Sequence, residues 1–234
     1  MFVTEKIYDR IAPLYDLIDS PFEYSWRGRL RARMFNGLSG RILDAGIGTG
    51  RNIPHYPKKA EMVGIDASAG MLDQARRRAD WHGSGVELLQ RDITGTQFPD
   101  ASFDAIVSTF VFCVLEDDQQ LPALRELRRI CKPGGTIRLL DYTLSARPMT
   151  KVLMRSLELA SNRLFAARYN VHTEDYVEPA NLSTVDRCLV FGDMVRLLEL
   201  RPAEPGDAPT HRLSSPGEAQ SVHPQADAFP ATAG

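Results

Sequence analysis

Arg41-Ile42-Leu43-Asp44-Ala45-Gly46-Ile47-Gly48-Thr49-Gly50-Arg51-Asn52 is the stretch whose reading decides the fold of this chain. An apolar strand runs into an acid and then into three glycines at alternate positions, a pattern that lets the backbone turn sharply and come close to a ligand. The dinucleotide pattern Gly-x-Gly-x-x-Gly/Ala does not fit, because its third small residue falls on Arg51. The Gly-Lys-Ser/Thr of a phosphate loop does not follow either. What remains is Asp-x-Gly-x-Gly-x-Gly. An acid ahead of the loop repels a pyrophosphate and suits a ligand that carries an ammonium group.

Two further strands repeat the arrangement. Glu61-Met62-Val63-Gly64-Ile65-Asp66 ends in an acid where nucleotide-binding α/β folds place a carboxylate for ribose hydroxyls. Val86-Glu87-Leu88-Leu89-Gln90-Arg91-Asp92 ends in Asp92, suited to accept a bond from an adenine amino group. An Asp after a strand is also an ordinary turn or helix cap, and for Asp92 the two readings stand level. Together, Asp44, Asp66 and Asp92 fall at the edge where open α/β sheets bind ligands. With the glycine loop, they point to S-adenosylmethionine rather than NAD.

Outward from this core, strand and helix alternate as in a parallel sheet. An amphipathic helix contains Met71, Leu72 and Ala75; a fourth strand covers Phe103 to Phe110. Leu121, Leu124, Leu127 and Ile130 give a helix from Gln119 to Ile130 its buried face. Pro133-Gly134-Gly135 is expected to stop it and open a fifth strand at Thr136. A helix from Pro148 to about Phe165 precedes two closing strands, Val185 to Phe191 and Met194 to Leu200, with Gly192-Asp193 as their hairpin turn. The expected fold is α/β and Rossmann-like: a seven-stranded, mostly parallel sheet with an antiparallel closing hairpin and helices on both faces. The division expected is an N-terminal helical segment over residues 1–40, a core over 41–201, and a proline-punctuated, disordered tail over 202–234.

The motifs LDAGIGTGRN (43–52), VGIDAS (63–68) with Met71, RDI (91–93), FPDASFDAIVST (98–109) and LRRICKPGGTIRLLDY (127–142) resemble the class I S-adenosylmethionine-dependent methyltransferases over roughly residues 1–200. By that resemblance Asp44, Gly46, Gly48, Gly50, Asn52, Asp66, Ala67, Met71, Asp92, Ile93 and Thr109 line the cofactor. The leader Tyr8-Asp9-Arg10-Ile11-Ala12-Pro13-Leu14-Tyr15-Asp16 is similar to a lid found in relatives that act on quinones and phospholipids. It implies that Tyr15, and with it Tyr8, close over the methionine part and exclude water. The competing reading is an ordinary helix packing Tyr8, Ile11 and Tyr15 onto the domain. The branch resembled is that of bacterial phosphatidylethanolamine N-methyltransferases and quinone methyltransferases, together with animal thiol S-methyltransferases. Pro179-Ala180-Asn181-Leu182-Ser183 replaces an Ala-Gly-Phe-like turn of those relatives, which implies an altered substrate pocket.

Composition fits a soluble, single-domain enzyme: 43% of residues are hydrophobic, 25% are charged, and the formal net charge of -2 provides no overall basic field for nucleic acid. Cys113, Cys131 and Cys188 have no metal-ligand spacing and fit reduced thiols in a cytoplasm; no metal site is expected. The first residues lack a signal-peptide pattern, and the longest apolar run, Phe110 to Leu115, is far short of the roughly 20 residues that span a bilayer. Two basic amphipathic stretches stand out. Residues 22–36 carry Phe22, Trp26, Leu30 and Met34 with Arg27, Arg29, Arg31 and Arg33. Residues 148–168 carry Met149, Val152, Leu153, Leu157, Ala160 and Leu164 with Lys151, Arg155, Arg163 and Arg168. Such helices either lie on an anionic membrane surface, here the inner face of the cell membrane, or pack on the sheet with the arginines in water.

Methyl transfer to a reactive nucleophile needs proximity and a dry pocket more than acid–base groups. For an amine or thiol acceptor, Asp141, Tyr142 and His172 are the titratable residues placed to take a proton, with His55 a remoter candidate. Tyr15, Asp141 and His172 are thus the catalytic candidates. The acceptors considered are a small or lipid-like molecule, in particular a phospholipid amine, or a soluble thiol, quinone or secondary metabolite. A regulator that binds the cofactor without catalysis is the reading from another class. Oligomeric state is not legible.

Overall fold

The computed structural model describes residues 8, 9, 12, 27–165, 168, 169, 172–190 and 192–203. Tyr15, Phe22, Trp26 and residues 204–234 lie outside the described residues. Seven strands, β1 (Arg41–Ala45), β2 (Glu61–Asp66), β3 (Glu87–Gln90), β4 (Phe103–Thr109), β5 (Cys131–Tyr142), β6 (Leu182–Val190) and β7 (Val195–Pro202), form one sheet in the order β3-β2-β1-β4-β5-β7-β6. The first five pair in parallel, while β7 runs antiparallel to both β5 and β6. The order reverses between β1 and β4. Loops leaving the C-terminal ends of those two strands therefore part and leave a crevice, the place where such sheets bind ligands.

Strand side chains alternate between faces, so the near-continuous apolar runs of β1, β2 and β4 need cover on both sides. Leu43, Ala45, Val63, Ile65 and Ile106 meet Leu124, Leu127 and Ile130 of α3 (Asp117–Ile130) on one face. Ile42, Met62, Ala105 and Val107 meet Met34 and Phe35 of α1 (Gly28–Phe35) on the other. α2 (Ala69–His82) brings Leu72, Ala75 and Ala79 against Ile47 and Ile53. It starts where the Ser68 hydroxyl accepts the Met71 N–H at 3.1 Å and stops at Gly83, which has φ +60°. α3 carries Asp117 and Asp118 in its first turn and Arg128 and Arg129 in its last, matching the helix dipole at both ends. A last helix, α4 (Pro148–Phe165), buries Met154.

Several boundaries differ from the sequence reading. β3 ends at Gln90, and β4 ends at Thr109. β5 starts at Cys131, not Thr136: Cys131 pairs with Phe103 and Thr136 with Ala105, so Pro133-Gly134-Gly135 bulges within the ladder. β6 starts at Leu182, not Val185, because Asn181 in the left-handed region (φ +56°) swings the chain into register with Pro202. Val190 pairs with Val195 as the last pair of the closing hairpin, so the strands part before a two-residue turn at Gly192-Asp193. β6 is an outer strand, and its register shifts between Thr184 and Asp186. Among the described residues no helix is long and apolar enough to cross a membrane.

Leu127 has no exposed surface and sits between α3 and the sheet. Leu127→Ala should lower unfolding stability by about 2–5 kcal/mol through lost transfer energy and the cavity left behind. Urea titration should show an earlier midpoint at unchanged slope.

Candidate active site

The glycine loop is locked to its neighbouring strand. The N–H groups of Gly46 and Ile47 both donate to the Ile65 carbonyl at 2.9 Å. The Gly48 N–H donates to Asp66 Oδ2 at 2.9 Å, and the Gly50 N–H donates to the Ile47 carbonyl at 3.0 Å. Gly46 has φ +80°, and a Cβ there would lie 2.3 Å from Val111 Cγ2, so a side chain is excluded both by conformation and by the β4 loop. With these N–H groups consumed internally, the loop offers a pyrophosphate far less than a phosphate cradle does.

Asp66 is half-buried; Oδ1 accepts the Ser68 N–H at 2.9 Å. These backbone donors leave part of its acceptor capacity free for hydroxyls. Burial outweighs those bonds and pushes its pKa up to about 6. Ala67 stands next to it, its carbonyl taking a bond from Gln90 Nε2 at 2.9 Å.

Asp44 is fully buried at the end of β1. Asn52 Nδ2 donates to both its oxygens at 2.9 and 3.0 Å, and the Tyr56 hydroxyl donates at 2.6 Å. Arg31, 7% exposed, donates to Asn52 Oδ1 at 2.9 Å and to Thr109 Oγ1 at 2.8 Å. Desolvation dominates here too and raises Asp44 to about 6. This network corrects the expectation that residues 22–36 turn all their arginines outward. Arg29 and Arg33 are exposed, while Arg31 is in the core and Arg27 is half-buried. Asn52 and Thr109, expected to line the cofactor, are buried members of the network.

The remaining candidates divide. Asp92 Oδ1 accepts the N–H and hydroxyl of Thr94, both at 2.8 Å, which is the turn arrangement weighed against a ligand role. Ile93 and Met71 are buried. Tyr8 is half-buried. Its neighbour Asp9 accepts the Ser68 hydroxyl at 2.6 Å and the Gly70 N–H at 3.0 Å, which ties Asp9 to the first turn of α2. A Cβ on Gly70 would lie 3.1 Å from the Asp9 carbonyl oxygen and 3.3 Å from buried Ala12 Cβ.

Among the catalytic candidates, Asp141 is buried at the end of β5, accepting the Cys113 N–H at 3.1 Å and the Tyr142 N–H at 2.9 Å, and desolvation raises it to about 6. With Thr173 and Arg196 it borders a closed, tightly packed interior gap. The exposed His172 lies 3.9 Å from Asp175 and does not border that gap. Tyr142 faces Phe110 at 5.0 Å and Tyr169 at 4.9 Å between ring centroids. Tyr56, Phe110 and Tyr169 were not singled out from the sequence. Tyr56 sits twelve residues beyond Asp44, and only folding shows that its hydroxyl reaches back.

Residues 42–135 match the model of the methyltransferase domain family. The chain is 32% identical over 139 residues to a phosphatidylethanolamine N-methyltransferase of Cereibacter sphaeroides, covering 58% of this chain and 66% of that one. It is 34% identical over 143 residues to a demethylmenaquinone methyltransferase of Thermus thermophilus, covering 58% and 64%. The chain thus spans about two thirds of the length of these relatives. The fold is shared with DhpI in complex with SAH (TM-score 0.64, 21% identity, 86% of this chain and 97% of that one). It is also shared with the [4+2]-cyclase SpnF (TM-score 0.66, 16% identity, 86% and 95%).

Three carboxyls held near 6, against an unfolded value of 3.8, predict an unusual acid profile. Between those values the folded state binds more protons than the unfolded, so stability falls as pH rises through that interval. The oppositely shifted Asp104 and Asp193 act below that interval, and Glu126, lowered from 4.5, opposes the trend only at its acid end. Calorimetric melting of the protein without added ligand should give a higher midpoint near pH 5 than near pH 7. Asp66→Asn should flatten the difference; a midpoint that rises toward neutrality refutes the account.

Proposed function

We propose that this chain, which carries a class I S-adenosylmethionine-dependent methyltransferase domain, transfers the methyl group of that donor to a small or lipid-like acceptor. The observation that carries the reading is the inward turn of the glycine-loop N–H groups, joined to an acid at the end of each flanking strand. A loop that spends its donors on Ile65 and Asp66 suits an uncharged ribose and a cationic amino-acid tail. Asp66 holds the ribose hydroxyls, and Asp44, braced by Asn52 and Tyr56, supplies negative charge beneath the methionine ammonium. Ala67, Met71, Asp92 and Ile93 form the adenine side, with Tyr8 and Tyr15 closing from the leader.

When bound, the sulfonium donor supplies an activated methyl electrophile. The chain supplies alignment and a dry site. For an amine or thiol acceptor, Asp141 is the carboxylate at the β5 end that takes the departing proton; burial holds its pKa near neutrality, where a base is effective. His172, out on the surface, is the weaker candidate.

For the acceptor, a phospholipid amine at an anionic membrane surface on the cytoplasmic side is the leading reading. Its support is α4, where Met149, Val152 and Leu153 are 88%, 66% and 58% exposed and Lys151 and Arg155 stand beside them. The relative named a phosphatidylethanolamine N-methyltransferase agrees. The second reading, a soluble quinone, thiol or secondary metabolite, draws on relatives named demethylmenaquinone methyltransferases. A non-catalytic regulator is the third.

Titration calorimetry should detect S-adenosylmethionine and no NAD binding of comparable strength. Asp66→Ala removes charge-assisted bonds of about 1.5–3 kcal/mol each, so donor affinity should fall at least about tenfold with circular dichroism unchanged. Micromolar NAD binding with no response to the methyl donor would sink the assignment.

Flotation with vesicles rich in anionic lipid should carry the protein upward at low salt and release it as salt screens charges over about 10 Å. Replacing Met149, Val152 and Leu153 with serine should abolish flotation while donor binding persists. A wild-type chain that ignores anionic vesicles at low salt hands the assignment to the soluble acceptor.

A further inference from the structure

The ends of β4 and β5 carry an aromatic cluster that the donor site does not use. Phe110 follows Thr109 with φ +59°, a region that costs a non-glycine residue energy. Its N–H donates to the Leu140 carbonyl at 2.7 Å. The twist sets its ring 5.0 Å from that of Tyr142, which is met at 80° and 4.9 Å by Tyr169. Tyr142 is backbone-linked to Asp141, its N–H on Oδ1 at 2.9 Å. The three rings thus stand beside Thr109 and Asp141, on the edge to which Asp44 also belongs.

A cation already lies on two of these rings. The Arg27 guanidinium carbon is 4.9 Å from the Phe110 centroid and 5.7 Å from that of Tyr142, and Arg27 donates to the Tyr142 hydroxyl. Arg31, one turn on, lies 5.5 Å from the same Phe110 centroid and is fixed by Asn52 and Thr109. Two like charges meet over one ring, a repulsive arrangement that the ring faces offset. Arg31 is buried and held by two side chains; Arg27 is half-buried at the start of α1.

We propose that Phe110, Tyr142 and Tyr169 form the acceptor's cation subsite, a box for an alkylated ammonium whose place the Arg27 guanidinium holds until the acceptor arrives. The inference rests on the methyltransferase reading and narrows its acceptor to one that carries an amine. Aromatic faces favour bulky, weakly hydrated ammonium ions, the species produced as an amine gains methyl groups. Arg27 acts as a gate, yielding the rings to the substrate.

The probe is tetramethylammonium chloride against a sodium chloride control, titrated into the full chain with and without S-adenosylhomocysteine and followed by saturation-transfer NMR. The wild type should bind in the millimolar range. Arg27→Gln removes the competing cation and should tighten binding several-fold, and Tyr142→Leu should weaken it about tenfold. Tyr169→Leu, at the rim of the cluster, should weaken it likewise even if Tyr142→Leu fails to fold, and Tyr142→Phe should keep most of it. Binding that Arg27→Gln leaves unchanged or weakens overturns the proposal, as does no binding by either protein at about 10 mM. Inorganic phosphate binding that disappears in Arg27→Gln would assign the arginine to an anion and overturn it too. S-adenosylhomocysteine affinity in the same samples separates the two readings: an intact donor site without ammonium binding sinks only the subsite, and a missing donor site sinks the transferase reading.

Discussion

The carbonyl oxygen of Ile65 takes two hydrogen bonds from the glycine loop of the neighbouring strand, and most of the site's geometry follows from that cross-tie. Gly46 and Ile47 can both reach it only if the chain leaves β1 in the left-handed conformation seen at Gly46. The turn then delivers the Gly48 N–H to Asp66, so loop and carboxylate are set relative to each other before any ligand enters. Preorganisation of this kind lowers the ordering cost of binding. It also spends the donors that would attract phosphate, so one bonding pattern both builds the pocket and excludes a class of ligand.

Beneath the loop, Arg31, Thr109, Asn52, Asp44 and Tyr56 bring two opposite charges into the interior, each linked through neutral side chains. Burying charge is tolerable when the groups are hydrogen-bonded and paired. The network also stitches α1 to β1 and β4, so the helix before the sheet is part of the wall under the crevice. The price is paid by Asp44, whose carboxyl loses much of its acidity to burial.

The succession of strands, the parallel core and the acids at strand ends were legible because they rest on local signals: apolar runs of strand length, a glycine pattern with one conformational meaning, and helix faces repeating every three or four residues. What escaped depends on partners far apart in sequence. Nothing near Arg31 distinguishes it from Arg29 or Arg33 until Thr109 and Asn52 are folded beside it. Pro133-Gly134-Gly135 has the composition of a turn, and only pairing of Cys131 with Phe103 makes it a bulge. The same limit applies to Phe110, whose backbone conformation is imposed by the Leu140 carbonyl. Asp92 was ambiguous because a turn and a ligand site need the same carboxylate, and Thr94 two residues on takes it up.

The outer strand β6 has a consequence for how copies of the chain behave in a crowded solution. A strand edge is a template onto which another sheet can add itself, and β6, outermost among the described strands, exposes Val185 and Leu189. The register shift between Thr184 and Asp186 bends that template, and Asp186 and Arg187 place opposite charges at the bend. An incoming strand would have to copy the kink and strip water from both ions. At the opposite border β3 has only four residues, too short to offer much of a ladder. Both borders of the sheet are thereby shielded against fibrous growth, one by irregularity and the other by brevity.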